Sequence, residues 1–145
     1  MAVVLREIDE GNWLECVGLK VAEDQAGFVA SNAFSLVQAR YEPLCVPLAI
    51  YDDELMVGFI MYAYDKDDEN YWIYRLMVDS SHQRKGYGRA AVEQVVQILS
   101  GVQDCRKIVV SFDPGNLVAR QLYLSLGFEE TGKMIWDEEV VERTL

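Results

Sequence analysis

Apolar and polar residues recur along this chain with two different periods. Short apolar runs rich in β-branched and aromatic residues are typical of strands, whereas apolar residues three or four positions apart are typical of helices. The strands predicted in this way are Val3–Ile8, Leu48–Tyr51, Leu55–Tyr64, Tyr71–Val78, Ile108–Phe112, Phe128–Ile135 and Glu139–Leu145. The predicted helices run from Asn12 to about Asp24, over Ser35–Tyr41, from Gly86–Gly88 to about Ser100, and over Asn116–Leu126.

The order of these elements, β-α-α-β-β-β-α-β-α-β-β, predicts an α/β fold with a mixed sheet. An antiparallel meander leads into one β-α-β crossover, and the absence of repeats and linkers favours a single domain over residues 1–145. Asn12 is expected to cap the first helix. The apolar residues at helical spacing on that helix are Trp13, Leu14, Val17 and Val21.

The composition excludes several classes of protein. A formal net charge of −11 disfavours nucleic acid as a partner, and it fits either a cationic substrate or simple solubility. No apolar run approaches the roughly 20 residues of a membrane span, and the N-terminus lacks a secretory signal, so we expect a cytoplasmic protein with no membrane partner. Cys16, Cys45 and Cys105 are too widely spaced for a disulfide framework or a metal site, so we expect reduced thiols and no metal.

The loop Gln83–Gly88 combines glycines with positive charge in front of a predicted helix. Free N–H groups and the positive end of the helix dipole bind phosphate oxygens at such a position. Arg84, Lys85 and Arg89 add positive charge to an otherwise acidic chain, and Gln83 adds a neutral donor. The loop therefore predicts a pyrophosphate site, although Gly86 and Gly88 are equally explained by a tight turn.

A nicotinamide dinucleotide is an alternative ligand for this loop. Gly86, Gly88 and Ala91 fit the loose dinucleotide fingerprint, and Asp113 at the end of the next strand could contact a ribose. Three features disfavour that ligand: the glycines follow a meander, the polar segment Ser80–Lys85 separates them from the strand, and the chain is short for two nucleotide-binding halves.

A second motif follows the next strand: Asn116-x-x-Ala119-x-x-Leu122-Tyr123-x-x-Leu126-Gly127-Phe128. Together with Gln83-x-x-Gly86-x-Gly88, this pattern strongly resembles the GCN5-related N-acetyltransferase (GNAT) superfamily, and the element order extends the resemblance over nearly the whole chain. The resemblance implies the acyl-CoA N-acyltransferase fold and acetyl-CoA as co-substrate.

The resemblance also implies a geometry for the donor. The strands Tyr71–Val78 and Ile108–Phe112 would be parallel neighbours that separate at one end, with pantetheine pairing with the backbone there. Asn116 would bond the pantetheine or the adjacent backbone, and Tyr123 would lie near the thioester sulfur. The residues implied for the pantetheine backbone contacts and the pyrophosphate are Met77, Val78, Gln83, Arg84, Lys85, Gly86, Tyr87, Gly88 and Arg89.

Acyl transfer to an amine needs proton movements at both ends. Tyr123 is the candidate that hydrogen-bonds the developing thiolate, although its face, shared with Ala119 and Leu122, also fits a core aromatic. The base stays open. Arg75 stands where some family members carry a glutamate, so the candidates are Glu69 or a water chain to another carboxylate. The single histidine, His82, is better explained as a solvated residue of the polar loop than as the base.

The acceptor is indicated by a further resemblance, to bacterial diamine and polyamine (spermine/spermidine) acetyltransferases, carried by Gln25–Ala30, Val57–Tyr62 and Trp72–Met77. A polyamine needs carboxylates and aromatic faces. Alternatives are a protein or peptide N-acetyltransferase and a non-catalytic CoA- or nucleotide-binding module; the resemblance also implies a homodimer. The candidate acceptor-binding residues, each equally explained as a surface residue, are Glu23, Glu42, Glu69, Trp72, Asp137 and Glu139, with Tyr41 as a further stacking surface.

Overall fold

The computed structural model describes residues 2–145, and its elements follow the predicted order. The strands are β1 (Val3–Glu7), β2 (Cys45–Asp52), β3 (Leu55–Asp65), β4 (Asn70–Val78), β5 (Lys107–Phe112), β6 (Glu129–Ile135) and β7 (Glu138–Thr144). The helices are α1 (Trp13–Gly18), α2 (Asn32–Tyr41), α3 (Tyr87–Ser100) and α4 (Leu117–Ser125), with short 3₁₀ turns at Glu23–Gln25 and Ser80–His82.

All strands belong to one mixed sheet, in the order β1-β2-β3-β4-β5-β7-β6. Strands β1 to β4 form the antiparallel meander, and β4 pairs with β5 in parallel through the crossover helix α3. The antiparallel β6–β7 hairpin completes the sheet beside β5. The predicted fold class, an α/β fold with a mixed sheet, is therefore confirmed.

Helices cover both faces of this sheet. On one face, the predicted apolar stripe of α3 (Val92, Val95, Val96 and Leu99) is buried against the sheet, together with Tyr123 of α4. On the other face, α1 and α2 cover the meander, and the core there is built from side chains such as Cys16, Ala49, Phe59, Met61 and Met77. We call these the α3/α4 face and the α1/α2 face.

The parallel pair β4–β5 separates after a short stretch. Only Tyr71–Ile73 pairs with Ile108–Val110. On the other side of β4, Ile73 pairs with Tyr62 and Arg75 with Met61, so Tyr74 is an extra residue, a β-bulge. Because a bulge bends its strand, β4 turns away from β5 at the point where their pairing stops, which opens a fork between them.

Helix α1 is shorter than predicted, because it ends at Gly18 rather than near Asp24. Leu19 is already extended, with ψ 140°, and the Lys20 N–H donates to Asp79 Oδ1 over 2.9 Å. The Ser80 N–H donates to the Lys20 carbonyl over 2.8 Å, so long-range bonds to the loop after β4 replace helical ones. The predicted stripe is corrected as well. Trp13 and Leu14 are exposed, and Cys16 is the buried residue of α1.

The predicted cap at Asn12 is also wrong in its chemistry. Asn12 precedes α1, but its side chain bonds backward: Oδ1 accepts from the Asp9 N–H and Nδ2 donates to the Glu7 carbonyl. A true cap lies before α2, where Ser31 Oγ accepts from the Phe34 N–H over 3.1 Å. This cap lets α2 begin at Asn32, earlier than the predicted Ser35.

The three cysteines carry free thiols, as expected. Cys16 and Cys45 are buried, and burial raises the pKa of the Cys16 thiol to about 11. Within residues 2–145, no helix is long and apolar enough to cross a membrane.

We expect Gly58→Ala to destabilise the fold. Gly58 pairs with Val78, and a Cβ added at Gly58 would lie 2.4 Å from the Met77 carbonyl oxygen, so the β3–β4 backbones would have to move apart. Urea unfolding should show a loss of about 1–3 kcal/mol in the free energy of unfolding. Gly18→Ala is the matched control, since a Cβ at Gly18 meets nothing within 4 Å. Equal effects of the two substitutions would contradict the prediction.

Candidate active site

A cavity of about 580 Å³ occupies the fork between β4 and β5 and continues to the start of α3. We call it the donor cavity. Ile73–Val78 of β4 and Val110–Phe112 of β5 form its walls, and residues from Val21 to Val29 lie along one side. The separation of two parallel strands thus leaves a groove whose walls are strand backbone.

The loop before α3 presents unpaired backbone donors to this cavity. Gly86 has φ +85° and Arg84 has φ +63°, so two residues just before the helix adopt the left-handed backbone conformation. The first N–H bonded within α3 is that of Ala90, which donates to the Gly86 carbonyl. The earlier N–H groups, at Tyr87, Gly88 and Arg89, have no acceptor within the helix, and they sit at the positive end of its dipole.

The lining of the donor cavity is basic. Arg75, Arg84 and Arg89 line it together with His82, and the one carboxylate in the lining is Asp24. The guanidinium of Arg89 also bonds Ser125 Oγ, which ties the start of α3 to α4. Because the whole chain carries −11, this local excess of positive charge attracts an anion to one place on an otherwise acidic surface.

The structure gathers nearly all the predicted donor-binding residues around this cavity. The exception is Lys85, which lies outside the lining. Lys85 is close to Asp52, and the pKa of the Asp52 carboxyl is lowered mainly by the Tyr87 hydrogen bond and to a smaller extent by the charge of Lys85. The predicted residues that line the cavity are Met77, Val78, Gln83, Arg84, Gly86, Tyr87, Gly88, Arg89, Asn116 and Tyr123.

Two of these residues fix the loop through their side chains. Gln83 Nε2 donates to the Val78 carbonyl over 3.0 Å and to Gln25 Oε1 over 2.8 Å. Tyr87 is buried, and its hydroxyl donates to Asp52 Oδ2 over 2.6 Å. Tyr87 therefore offers the cavity its backbone N–H, while its side chain anchors the start of α3 to the end of β2.

Asn116 and Tyr123 border the fork from α4. Asn116 Oδ1 accepts from the Ala119 N–H and so caps the helix. The Tyr123 ring is stacked on Phe112 and meets Phe128 edge-on, and burial raises the pKa of its hydroxyl far above the usual value. Tyr123 lines the donor cavity, and none of the hydrogen bonds described among residues 2–145 involves its hydroxyl. A phenol in this state keeps its proton, so it can donate a hydrogen bond but cannot act as a base.

The predicted acceptor-binding residues are not brought together. Trp72 is buried and donates its indole N–H to Asp68 Oδ2, and Glu139 is paired with Arg120 on the α3/α4 face. Trp72 therefore offers no free face for stacking, which corrects that prediction, whereas the Glu139 side chain stays 30% exposed beside Arg120. Glu23 starts a 3₁₀ turn, Glu69 and Asp137 lie in hairpin turns with φ 60° and 62°, and only Glu42 lines a cavity.

That second cavity, of about 330 Å³, lies on the α1/α2 face beside the fork. We call it the acidic cavity. Its charged and aromatic lining is formed by Tyr41, Glu42, Tyr64, Asp65, Lys66, Asp67 and Tyr74. Tyr74 lines both cavities, and its hydroxyl donates to Asp65 Oδ2 over 2.8 Å. Burial, followed by this bond, raises the pKa of Tyr74. The prediction included Tyr41 and Glu42, and it included Glu69 of the β3–β4 hairpin, but it missed Asp65 and Asp67 of the same hairpin, which resemble an ordinary polar turn in sequence.

In the sequence, Arg75 is only a departure from a family pattern; in the structure it lines the donor cavity. It follows the bulge, so it projects onto the α1/α2 face, where its guanidinium lies 5.8 Å from the centre of the Phe34 ring and donates to Gln38 Oε1 over 2.7 Å. Arg75 Nε is buried without a hydrogen-bond partner among residues 2–145. Burial lowers the pKa of this guanidinium. Nearby groups partly offset that effect by raising the pKa, with Cys45 having the largest influence and Glu138 the next.

Comparisons with known proteins agree with this geometry. A spermine/spermidine N(1)-acetyltransferase from Bacillus subtilis (strain 168) is 27% identical over 147 aligned positions, which cover 97% of each chain. AAC(6')-Ib in complex with paromomycin and acetyl-CoA has a TM-score of 0.82 at 18% identity, over 99% of this chain and 94% of that one. The spermidine N-acetyltransferase of Vibrio cholerae, in complex with CoA and spermine, has a TM-score of 0.76 at 14% identity, over 99% and 94%.

The two structures show that the fold is shared. The family assignment comes from the sequence, because the model of the acetyltransferase (GNAT) family matches residues 5–128, which is most of the chain. The chain therefore belongs to the acetyltransferase (GNAT) family, and it is an acetyl-CoA-dependent acetyltransferase.

Proposed function

We propose that this enzyme transfers the acetyl group of acetyl-CoA to a primary amine of a small cationic acceptor, a polyamine or diamine. The observation that carries the donor half of this proposal is the fork between β4 and β5, which leads directly to the unpaired N–H groups of α3. A long, thin ligand with a pyrophosphate at one end matches a groove of this shape and charge.

In this proposal, the pantetheine arm lies along β4 beyond Ile73, where the strand has no partner on the β5 side. Its amides pair with the backbone around Met77 and Val78, as a strand would. The pyrophosphate binds the N–H groups at the start of α3, with Arg84 and Arg89 adding charge. The thioester then lies at the fork, between Asn116 and Tyr123.

The reaction is a direct attack of the amine on the thioester carbon within a ternary complex. An amine with a lysine-like pKa of about 10.4 is neutral only about once in 2,500 molecules at pH 7, so deprotonation accounts for about 4.6 kcal/mol of the barrier. At the other end, Tyr123 hydrogen-bonds the departing sulfur. Because burial raises the pKa of Tyr123, a hydrogen bond to the thiolate is favoured over complete proton transfer.

The acceptor half of the proposal is supported by the acidic cavity. Carboxylates at Glu42, Asp65 and Asp67, with tyrosine rings around them, suit the ammonium groups of a polyamine that are not being acetylated. The cavity adjoins the fork through Tyr74, so one amine can reach the thioester while the other charges stay among acids. The Bacillus subtilis relatives, which bear spermine and spermidine in their names, support the same acceptor class.

Spermidine and spermine should be acetylated with a higher kcat/KM than amino acids, aminoglycosides or a lysine peptide, because they are thin, linear polycations that can place their remaining ammonium groups in the acidic cavity. Thiol release from acetyl-CoA, measured with each amine and with putrescine, checks this. Turnover confined to the peptide would contradict the polyamine proposal. Tight CoA binding with no turnover on any amine would indicate a binding module instead.

Tyr123→Phe should lower kcat roughly 100-fold with little change in the KM for acetyl-CoA, because the ring packing is kept and only the hydrogen bond to the sulfur is lost. Steady-state thiol release measures both constants. Tyr62→Phe is the matched control, because Tyr62 packs against the same core but lines neither cavity. A Tyr123→Phe enzyme with full kcat would remove this hydroxyl from the mechanism.

The double substitution Glu42→Gln with Asp67→Asn should raise the KM for spermidine about tenfold and leave the KM for acetyl-CoA unchanged, because it removes negative charge from the acidic cavity alone. Glu93→Gln with Asp104→Asn changes the net charge equally, away from both cavities. Initial rates measured with spermidine varied, and then with acetyl-CoA varied, give the two KM values. Equal effects of the two pairs would mean that only overall charge matters.

A further inference from the structure

Three polar side chains from three different strands meet at the fork. Ser111 of β5 and Arg75 of β4 both line the donor cavity. Ser111 Oγ donates to Glu138 Oε1 of β7 over 2.8 Å, and Glu138 is near enough to Arg75 to act on its guanidinium electrostatically. Glu138 itself lines neither cavity, and the hydrogen bond between Ser111 and Glu138 has no role in binding the donor as described above.

Strand alternation explains why these side chains share one face. Glu138 and Val140 project to the same side of β7, and Val140 packs with Trp72 and Val109 there. Glu139, one residue along, points to the opposite face and pairs with Arg120. On β5, Ser111 interrupts a strand whose neighbours Val110 and Phe112 are buried on the α3/α4 face.

The proposed reaction lacks a group that takes the proton from the amine. Tyr123 cannot do so, because its raised pKa keeps it protonated. Asp24 also lines the donor cavity, but it is exposed and stands beside Gln25, which bonds Gln83 of the pyrophosphate loop. Glu138 is instead half-buried, and its hydrogen bond from Ser111 connects it to the donor cavity.

We propose that Glu138, acting through the Ser111 hydroxyl, is the general base for the acceptor amine; this inference rests on the proposed function. The proton that the ammonium loses passes to Ser111 Oγ while the Ser111 proton passes to Glu138, which leaves a neutral amine. The amine nitrogen then forms a bond to the acetyl carbon, the bond from that carbon to sulfur breaks, and the second proton on the nitrogen passes to solvent. The thiolate leaves against the Tyr123 hydroxyl and is protonated from solvent, to which Glu138 later returns its proton.

Arg75 assists this step through its charge. A cation beside the attacking nitrogen disfavours the ammonium form, so it lowers the cost of deprotonation at the fork. The acidic cavity has the opposite effect and keeps the remaining ammonium groups charged. Besides Glu138, the other titratable groups that act on Arg75 are Tyr74, Cys45 and Glu42, none of which is hydrogen-bonded to Ser111.

The test is the pH dependence of kcat/KM for spermidine. Glu138→Gln should lose roughly 100-fold at pH 7, and the loss should shrink as the pH approaches the pKa of the amine, because free amine then needs no base. Ser111→Ala should show the same pH dependence of kcat/KM, with a large loss at pH 7 that shrinks at higher pH. Glu142→Gln is the control, since it changes the same residue type on the same strand, where Glu142 pairs with Lys107. Acetyl-CoA affinity, measured by calorimetry, should be unchanged in all variants.

A wild-type pH profile in Glu138→Gln, while the wild-type enzyme acetylates spermidine, overturns this inference alone. A wild-type enzyme that acetylates no amine overturns the proposed function first. If Glu138→Gln does not fold, Glu138→Asp and Ser111→Ala decide the question. The Asp variant should keep the wild-type profile at a lower kcat, and a wild-type profile in Ser111→Ala overturns the relay.

Discussion

The extra residue in β4 is the constraint on which the rest of this site depends. Without Tyr74, β4 would continue beside β5 and the two strands would close the groove with their own hydrogen bonds. The bulge bends β4 away, leaves its backbone without a partner on the β5 side beyond Ile73, and turns both Tyr74 and Arg75 toward the α1/α2 face. One residue thus opens the donor groove and supplies groups to the acceptor side.

Charge is separated within a strongly acidic chain. The donor cavity concentrates arginines and helix N–H groups, which suits a pyrophosphate, while the acidic cavity concentrates carboxylates, which suits ammonium groups. Arg75 lies at the boundary, where the proposed reaction requires a neutral amine. Each cavity therefore carries the charge opposite to that of the ligand group proposed to bind there. Arg75, between them, disfavours the positive charge that the amine must lose before it attacks.

The packing of Tyr123 in the core is compatible with the catalytic role proposed for its hydroxyl. Its ring is packed between Phe112 and Phe128, which fixes the position of the hydroxyl, and the same burial raises its pKa. Rigid placement and a retained proton are both useful in a group that hydrogen-bonds a leaving sulfur. The sequence left two interpretations of Tyr123 open, a core aromatic and a hydrogen-bond donor to the sulfur. Its buried position at the cavity is compatible with both.

Local interactions determined what the sequence alone could predict: the element order, the buried stripe of α3, and the loop around Gly86 that presents N–H groups. These follow from spacing, glycine conformation and helix ends, which involve residues near each other in the chain. The length of α1 and the grouping of Ser111 with Glu138 depend on contacts between distant segments. Whether an acid such as Glu139 or Glu138 faces the fork depends on strand register, because a shift of one residue reverses the face. Only the tertiary structure decided those positions.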